Sequence, residues 1–287
     1  MMFTALEFML APFVVCLLLI GINIYFGIHV IKREIIFIDI ALAQIAALGA
    51  TFASILPFAY AHHGHHHDER TLAAYLFSIG FTTFAAAVFT IFKSRKLPIP
   101  LESLIGIAYA VAATGSVILL DKAAGSDVHV KEMVEGSILW VGWSEIIELF
   151  IVFLTVGLFH FLFRKKFIAI TDKYNHSDNK NGNTMLWDFL FYASFGIVVV
   201  HSVEVGGILT IFAFLIIPAS ISALFTSSWL YRILIGWGLG TIVTVCGLYL
   251  SWELDVPSAP TVILALGIFL LIALILKSMK FFKSATR

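Results

Sequence analysis

Nine long apolar stretches run along the chain, separated by short polar segments. They cover residues 7–28, 35–58, 71–92, 101–120, 145–163, 186–202, 207–226, 230–251 and 259–276. A helix needs about 20 apolar residues to cross the hydrocarbon core of a bilayer. Because backbone polar groups cannot stay unpaired in lipid, each stretch is predicted to be a helix. The pattern predicts an all-α, polytopic membrane helix bundle with about nine transmembrane helices, eight being possible, in a single transmembrane domain over residues 1–287.

The positions of the basic residues predict the orientation of this bundle. With the N-terminus outside, 15 of the 18 Lys and Arg residues fall on the inner side, and only Arg70, Lys122 and Lys131 lie outside. Cytoplasmic loops of membrane proteins carry the excess of Lys and Arg. We therefore expect an outside N-terminus and a cytoplasmic C-terminus. No basic residue precedes the first apolar stretch, so it is expected to be retained rather than cleaved as a signal peptide.

Composition and missing motifs exclude several classes of protein. Hydrophobic residues make up 60% of the chain and charged residues 13%, against about 45–50% and about 25% in soluble domains. A water-soluble enzyme is thereby excluded. No lysine follows a glycine, and HExxH and GxSxG are absent, so a Walker A loop and two common hydrolase motifs are missing. We expect a membrane transport protein that is not an enzyme, has no resident cofactor and binds no nucleic acid.

A histidine-rich loop follows the second apolar stretch, at residues 62–69. It contains half of the ten histidines: His62, His63, His65, His66 and His67. Neutral imidazoles bind Zn²⁺, Ni²⁺ and Cu²⁺, and His-rich tracts indicate metal binding by composition. On the predicted orientation the loop lies outside, where it would collect incoming metal. The alternative is a solvated loop with no such role.

A second candidate for metal binding is the pair His201 and Glu204 in a predicted short outside turn, residues 201–207. Residues three apart share a helical face, and imidazole with carboxylate suits a first-row divalent metal. One or two further ligands would have to come from elsewhere, and the candidates near the same membrane surface are His129, Glu145, Glu148 and Asp255. The alternative is that His201 and Glu204 only bond each other.

The second apolar stretch is rich in small residues and carries Asp39 and Gln44. A charge at the bilayer centre costs at least ~2.5–3.5 kcal/mol, so Asp39 should face protein or water. It either pairs with Lys32 or Arg33 at the inner interface or lines a transport pathway. Asp39 and Gln44 lie about 140° apart around a helix, so they are not expected to be ligands on one face.

Two proline-containing segments complete the candidate pathway. Pro218 lies inside the seventh stretch, where it removes a helical hydrogen bond and forms either a hinge or a fixed bend. Pro257 and Pro260, with Ser258, follow Asp255 in the last predicted outside turn. These residues are expected to end one helix and begin the next.

Taken together, these segments resemble the integral-membrane permeases of the zinc/manganese-type ABC importers. The resemblance is carried by Gly207–Ala219, similar to the family's G-x-L-L…A-L-L-x-x-P-A helix, and by Leu254–Thr261, similar to its L-D-L-P-T-G-P-T turn. Glu102–Ala110 and residues 38–50 resemble two further family segments. In the latter, Asp39 stands at the family's Gly, Ile40 at its Asp and Gln44 at its His, so the family's acid and imidazole ligands are not reproduced there.

The resemblance implies a permease subunit in a bacterial cytoplasmic membrane that imports a divalent metal ion, with zinc first, then manganese or iron. Its implied partners are cytoplasmic ABC ATPase subunits, an extracytoplasmic solute-binding protein and a second permease copy, identical or homologous. The cytoplasmic segment 164–186 is the best candidate for ATPase contact. Two alternatives remain: a secondary, ATP-independent metal carrier, and, from a different class, a membrane-embedded metalloenzyme.

Overall fold

The computed structural model describes residues 2–56, 72–94, 98–120, 138–174 and 182–285. Ten α-helices and one 3-10 turn (Ile138–Trp140) account for nearly all of these residues, and the described ranges contain no strand. The helices are α1 (Met2–Arg33), α2 (Ile38–Ser54), α3 (Leu72–Ser94), α4 (Leu101–Leu120), α5 (Trp143–Leu162), α6 (Arg164–Asp172), α7 (Gly182–Gly206), α8 (Ile208–Phe225), α9 (Trp229–Leu254) and α10 (Ser258–Ala285). The predicted all-α helix bundle is confirmed.

Each predicted apolar stretch corresponds to a helix, but one of them is short. Among the residues that the structure describes, eight helices are long and apolar enough to cross a membrane. The exception, α2, has 17 residues and is only about 25 Å long at about 1.5 Å per residue, less than the roughly 30 Å of a bilayer core. Most of its residues are buried. Because α2 is surrounded by protein rather than lipid, it does not need to be as long as the bilayer core is thick.

The boundaries differ from the prediction in two places. The segment 164–186, predicted to be a loop, begins with the nine-residue helix α6 and ends within α7, which starts at Gly182. The predicted turn at residues 201–207 is the last part of α7, and the break falls at Gly207 alone, whose φ is 74°. A positive φ is accessible to glycine without steric cost, so one residue suffices to separate α7 from α8.

The chain forms two compact units. The first comprises Met1–Ile31, Met133–Gly157 and Ser202–Arg287, and the second comprises Lys32–Glu132 and Leu158–His201. Helices α1, α5 and α7 each continue from one unit into the other.

In the first unit, α1 touches α8 backbone to backbone. A Cβ added at Gly27 would overlap the carbonyl oxygen of Leu215 and lie 3.1 Å from the Cβ of Ala219. One and a half turns earlier on α1, the carbonyl of Gly21 accepts a 3.0 Å hydrogen bond from the indole of Trp237 on α9. Helices α8, α9 and α10 pack against one another. Small residues permit such close approach, the usual basis of helix packing in membranes.

In the second unit, α2 packs against both α3 and α4. A Cβ at Gly49 of α2 would lie 2.6 Å from the carbonyl oxygen of Phe77 on α3. The neighbouring Ser78 donates a 2.9 Å hydrogen bond to the carbonyl of Ala46. The small residues noted in the sequence therefore serve to bring the backbones of α2 and α3 together.

Candidate functional site

Asp39 lies in the first turn of α2 and is 1% exposed. Neither of its carboxylate oxygens has a hydrogen-bond partner among the described residues. Lys32 pairs instead with Asp172, and Arg33 pairs with Asp188. The predicted alternative that Asp39 pairs with Lys32 or Arg33 is therefore wrong, and its carboxylate is buried without a cationic partner among the described residues.

Gln44 and Asp39 differ in burial. Gln44 is half-buried on the same helix, whereas Asp39 is fully buried. No described contact brings the two side chains together. The two residues therefore stay separate candidates for a pathway, as their angular separation predicts.

His201 is buried near the end of α7, and both of its ring nitrogens are hydrogen-bonded. Nδ1 donates to the carbonyl of Ile197 at 2.8 Å, which leaves Nε2 to accept the hydroxyl of Tyr75 at 3.2 Å. A backbone carbonyl on Nδ1 is how proteins orient a histidine that binds metal through Nε2. In this structure the hydroxyl of Tyr75 occupies the position at Nε2 that a metal ion would take.

The other candidate ligands that the structure describes differ from His201 in burial. Glu204, one helical turn later, is exposed, and so are Glu145, Glu148 and Asp255. Within the described ranges, no three His, Cys, Asp or Glu side chains are arranged to hold a metal ion. Glu145 accepts a 3.0 Å hydrogen bond from the backbone N–H of Gly142, a contact that caps the start of α5.

The proposed metal-collecting loop lies outside the described residues. This applies to His62, His63, His65, His66 and His67, and also to His129. Their assignment as metal ligands stays a prediction from composition.

Pro218 does not interrupt α8, which continues to Phe225. Pro218 is buried, and its ring lies 3.7 Å from where a Cβ on Gly240 of α9 would be. The contact of Gly27 with Leu215 and Ala219 falls on the same part of α8. Tight packing on two sides favours the fixed bend over the hinge at this position.

Asp255, in the turn after α9, adopts the left-handed conformation with φ of 51°, and α10 begins at Ser258 as predicted.

A network of buried charged side chains lies elsewhere, in the second unit. The guanidinium of Arg33, at the end of α1, donates through Nη1 to Asp188 on α7 at 3.0 Å and through Nε to Thr171 on α6 at 2.9 Å. Lys93, near the end of α3, binds the second oxygen of Asp188 at 2.5 Å. The side chain of Arg33 is fully buried and that of Asp188 is 4% exposed. We call Arg33, Lys93, Thr171 and Asp188 the Arg33 cluster.

Aromatic rings complete the surroundings of these charges. The guanidinium of Arg33 lies 3.8 Å from the centre of the Phe191 ring, and the ammonium of Lys93 lies 3.4 Å from that of Tyr174. The hydroxyls of Tyr174 and Tyr192 bond each other at 2.5 Å. Burial raises the pKa of Tyr174 well above its ordinary value, so this ring stays neutral beside the two cations. Desolvated cation–π contacts of this kind contribute about 2 kcal/mol.

Helix α6 has one face buried against the second unit and the other exposed. Phe167 is fully buried, and its ring stacks on His160 of α5 with centroids 4.1 Å apart and planes 12° apart. At the end of α6, Thr171 joins the Arg33 cluster and Asp172 pairs with Lys32 at 2.6 Å. The first turn presents three exposed basic side chains: Arg164, Lys165 and Lys166.

The Arg33 cluster was not predicted from the sequence, where Arg33 was considered a marker of orientation and a possible partner of Asp39, and Lys93 a marker of orientation alone. Asp188 was the available signal. It lies six residues into α7, and an acid inside an apolar helix requires a partner. The partner's identity could not be read from the sequence, since Asp188 is 155 residues from Arg33 and 95 from Lys93.

The sequence of this chain is similar to those of known membrane proteins. An uncharacterized membrane protein of Synechocystis sp. is 26% identical over 181 residues, which are 63% of this chain and 64% of that protein. The manganese transport system membrane protein MntC of Listeria monocytogenes is 27% identical over 203 residues, covering 69% of this chain and 71% of that protein. For three of the curated relatives, the matching region spans 57–64% of the relative's own length.

The fold also matches a solved structure. PsaBC from Streptococcus pneumoniae in complex with a Fab superposes with a TM-score of 0.71 at 19% identity, covering 94% of this chain and 93% of that one. At this identity the likeness concerns the fold alone. The ABC 3 transport family, by contrast, matches the sequence itself over residues 5–277. A match over nearly the whole polypeptide settles the classification: this multi-pass membrane protein belongs to the ABC 3 transport family.

Proposed function

We propose that this chain is the permease subunit of a bacterial ABC importer for a divalent metal ion, acting by alternating access in the cytoplasmic membrane. The observation that carries the proposal is the family match over residues 5–277. The name of the Listeria relative supports a metal as substrate and favours manganese, whereas the sequence resemblance put zinc first, with manganese or iron next. We therefore propose a transition-metal cation as the transported substrate.

The energy for uphill transport would come from separate ATPase subunits, since the sequence contains no Walker A loop. The exposed first turn of α6, with Arg164, Lys165 and Lys166, is the docking surface that we propose for such a subunit. A solute-binding protein would deliver the metal on the opposite side. Exposed apolar side chains on α4 and α5 would face lipid and a second permease copy, which completes the translocation unit.

We propose that Asp39 is a transient cation site along the pathway. A buried carboxylate without a partner is costly when ionised, and a passing divalent cation would supply the missing charge. Gln44, Pro218 and Asp255 stay candidates for a pathway role, and His201 and Glu204 stay candidates for metal binding. The histidines of loop 62–69 would act as a weak external collector, since a cluster of neutral imidazoles binds metal without further structure.

The proposed function is tested by metal accumulation in cells. Deleting the gene should lower the cellular content of at least one of zinc, manganese and iron, measured by inductively coupled plasma mass spectrometry in metal-limited medium. A plasmid copy should restore it. Unchanged content of all three metals would contradict the proposal. If the ATPase partner is inactivated at its P-loop lysine and accumulation persists, the chain is a secondary carrier instead.

A further inference from the structure

The polar contacts of α6 connect this short helix to three longer ones. Thr171 and Asp172, in its last turn, bind Arg33 and Lys32 at the end of α1. Asp188 then joins Arg33 to α7 and, through Lys93, to α3. All of these contacts lie inside the second unit, where the ends of α1 and α3, the last turn of α6 and the first part of α7 meet.

The burial of the charges makes these connections stiff. The side chains of Arg33 and Asp188 are 0% and 4% exposed, so water cannot replace a partner that moves away. Leaving a buried charged donor without its acceptor costs far more than the net gain of an ordinary hydrogen bond. A displacement of α6 that separated Thr171 from Arg33 would therefore be resisted, and the four elements are expected to move together.

The apolar contacts of α6 would not by themselves make α6 move together with the three longer helices. Phe167 packs against His160 and Trp187, and such ring contacts permit small sliding movements because they have no obligatory partner. The directional bond between Thr171 and the guanidinium fixes the last turn of α6 relative to α1. This difference separates a merely packed helix from one that transmits force.

We propose that Arg33, held by Asp188, is a positioning residue that couples α6 to α1, α3 and α7, so that movement of α6 by a docked ATPase moves these helix ends as one body. The inference rests on the proposed function, since it requires an ATPase at α6. It assigns the force-transmitting contact to the link from Thr171 and Asp172 to Arg33 and Lys32. The exposed basic turn of α6 then serves binding, and the last turn serves transmission.

The test cuts this link without touching the docking surface. The double variant Thr171→Val and Asp172→Asn removes the hydrogen bond of Thr171 with Arg33 and the ion pair of Asp172 with Lys32, while the contacts of Arg33 and Lys93 with Asp188 remain. The matched control is Thr90→Val on α3. Thr90 is as buried as Thr171, at 2% exposure each, but its hydroxyl bonds only Ala86 on its own helix.

The chain would be reconstituted in liposomes with the ATPase and solute-binding protein of its own transport system. Uptake of Mn²⁺ and of Zn²⁺ is measured together with ATP hydrolysis. We expect the double variant to lower metal taken up per ATP hydrolysed by about tenfold, as loss of hydrogen bonds to charged groups implies, with the ATPase still bound. Thr90→Val should match the wild type. A merely structural role would reduce uptake and hydrolysis in proportion and leave their ratio unchanged.

An unchanged ratio in the double variant, beside a working wild type, would overturn this inference and leave the proposed function intact. A double variant that fails to retain the ATPase would likewise overturn it, because the link would then serve binding. If the variant is poorly folded, the single change Thr171→Val gives the same test with a smaller expected drop. Wild-type vesicles without ATP-dependent uptake would overturn the proposed function, and this inference with it.

Discussion

Replacing Gly27 by Ala is expected to destabilise the folded protein strongly, whereas Gly21→Ala on the same helix is expected to leave its stability intact. At Gly27 the new methyl group would overlap the carbonyl oxygen of Leu215 and lie 2.9 Å from its carbonyl carbon. Both atoms belong to the backbone of α8, so no side-chain rotation can relieve the clash. The helices would have to separate, close to buried Pro218.

The expected cost is at the upper end of that measured for overpacked cores, about 3 kcal/mol. Gly21 has no atom within 4 Å of an added Cβ, and Ala is preferred over Gly in a helix by about 1 kcal/mol. The measurement is the melting temperature of each purified variant in detergent, together with the yield of the monodisperse size-exclusion peak. Equal melting temperatures for the two variants would show that α1 and α8 do not touch at Gly27.

The second large effect is expected at Asp39. Asp39→Asn should lower metal uptake by about tenfold or more while the protein stays at least as stable, since it removes a buried acid whose ionised form costs at least ~2.5–3.5 kcal/mol in a membrane. Asn is nearly the same size and creates no cavity. The gain in stability and the loss of transport together distinguish a pathway carboxylate from a structural one.

The matched control for Asp39 is an exposed acid elsewhere in the chain. Glu253→Gln removes a carboxylate of an exposed residue near the end of α9, so neither uptake nor melting temperature should change. Uptake is measured as initial rates for Mn²⁺ and Zn²⁺ in cells that contain equal amounts of each variant. Normal uptake by Asp39→Asn would remove Asp39 from the pathway.

The helices were predictable because their signal is local. Each spanning helix is a run of apolar residues. Gly207 separates α7 from α8, and Ser258 begins α10, so both residues lie at helix boundaries. The length of α2 was less predictable. Its apolar run extends over residues 35–58, but the helix covers only Ile38–Ser54, because apolarity alone does not say where helical hydrogen bonding stops.

The candidate site was predictable only in part, because it depends on contacts between distant residues. The sequence singled out Asp39 as needing protein or water, and the structure places it fully buried. The spacing of His201 and Glu204 predicted that they act together, yet His201 is buried and Glu204 is exposed. Helix α6 was not predicted, because Arg164, Lys165 and Lys166 are typical of a polar loop. The packing of Phe167 against His160, which stabilises this helix, involves a residue of another helix.

We propose that this chain conducts metal across the membrane using ATP hydrolysed by another polypeptide. The most direct test is metal uptake into liposomes containing the purified chain, with and without its ATPase and with ATP or a non-hydrolysable analogue. Mn²⁺ or Zn²⁺ should accumulate against a gradient only when the ATPase and hydrolysable ATP are both present. Accumulation against the gradient by the chain alone would overturn this proposal.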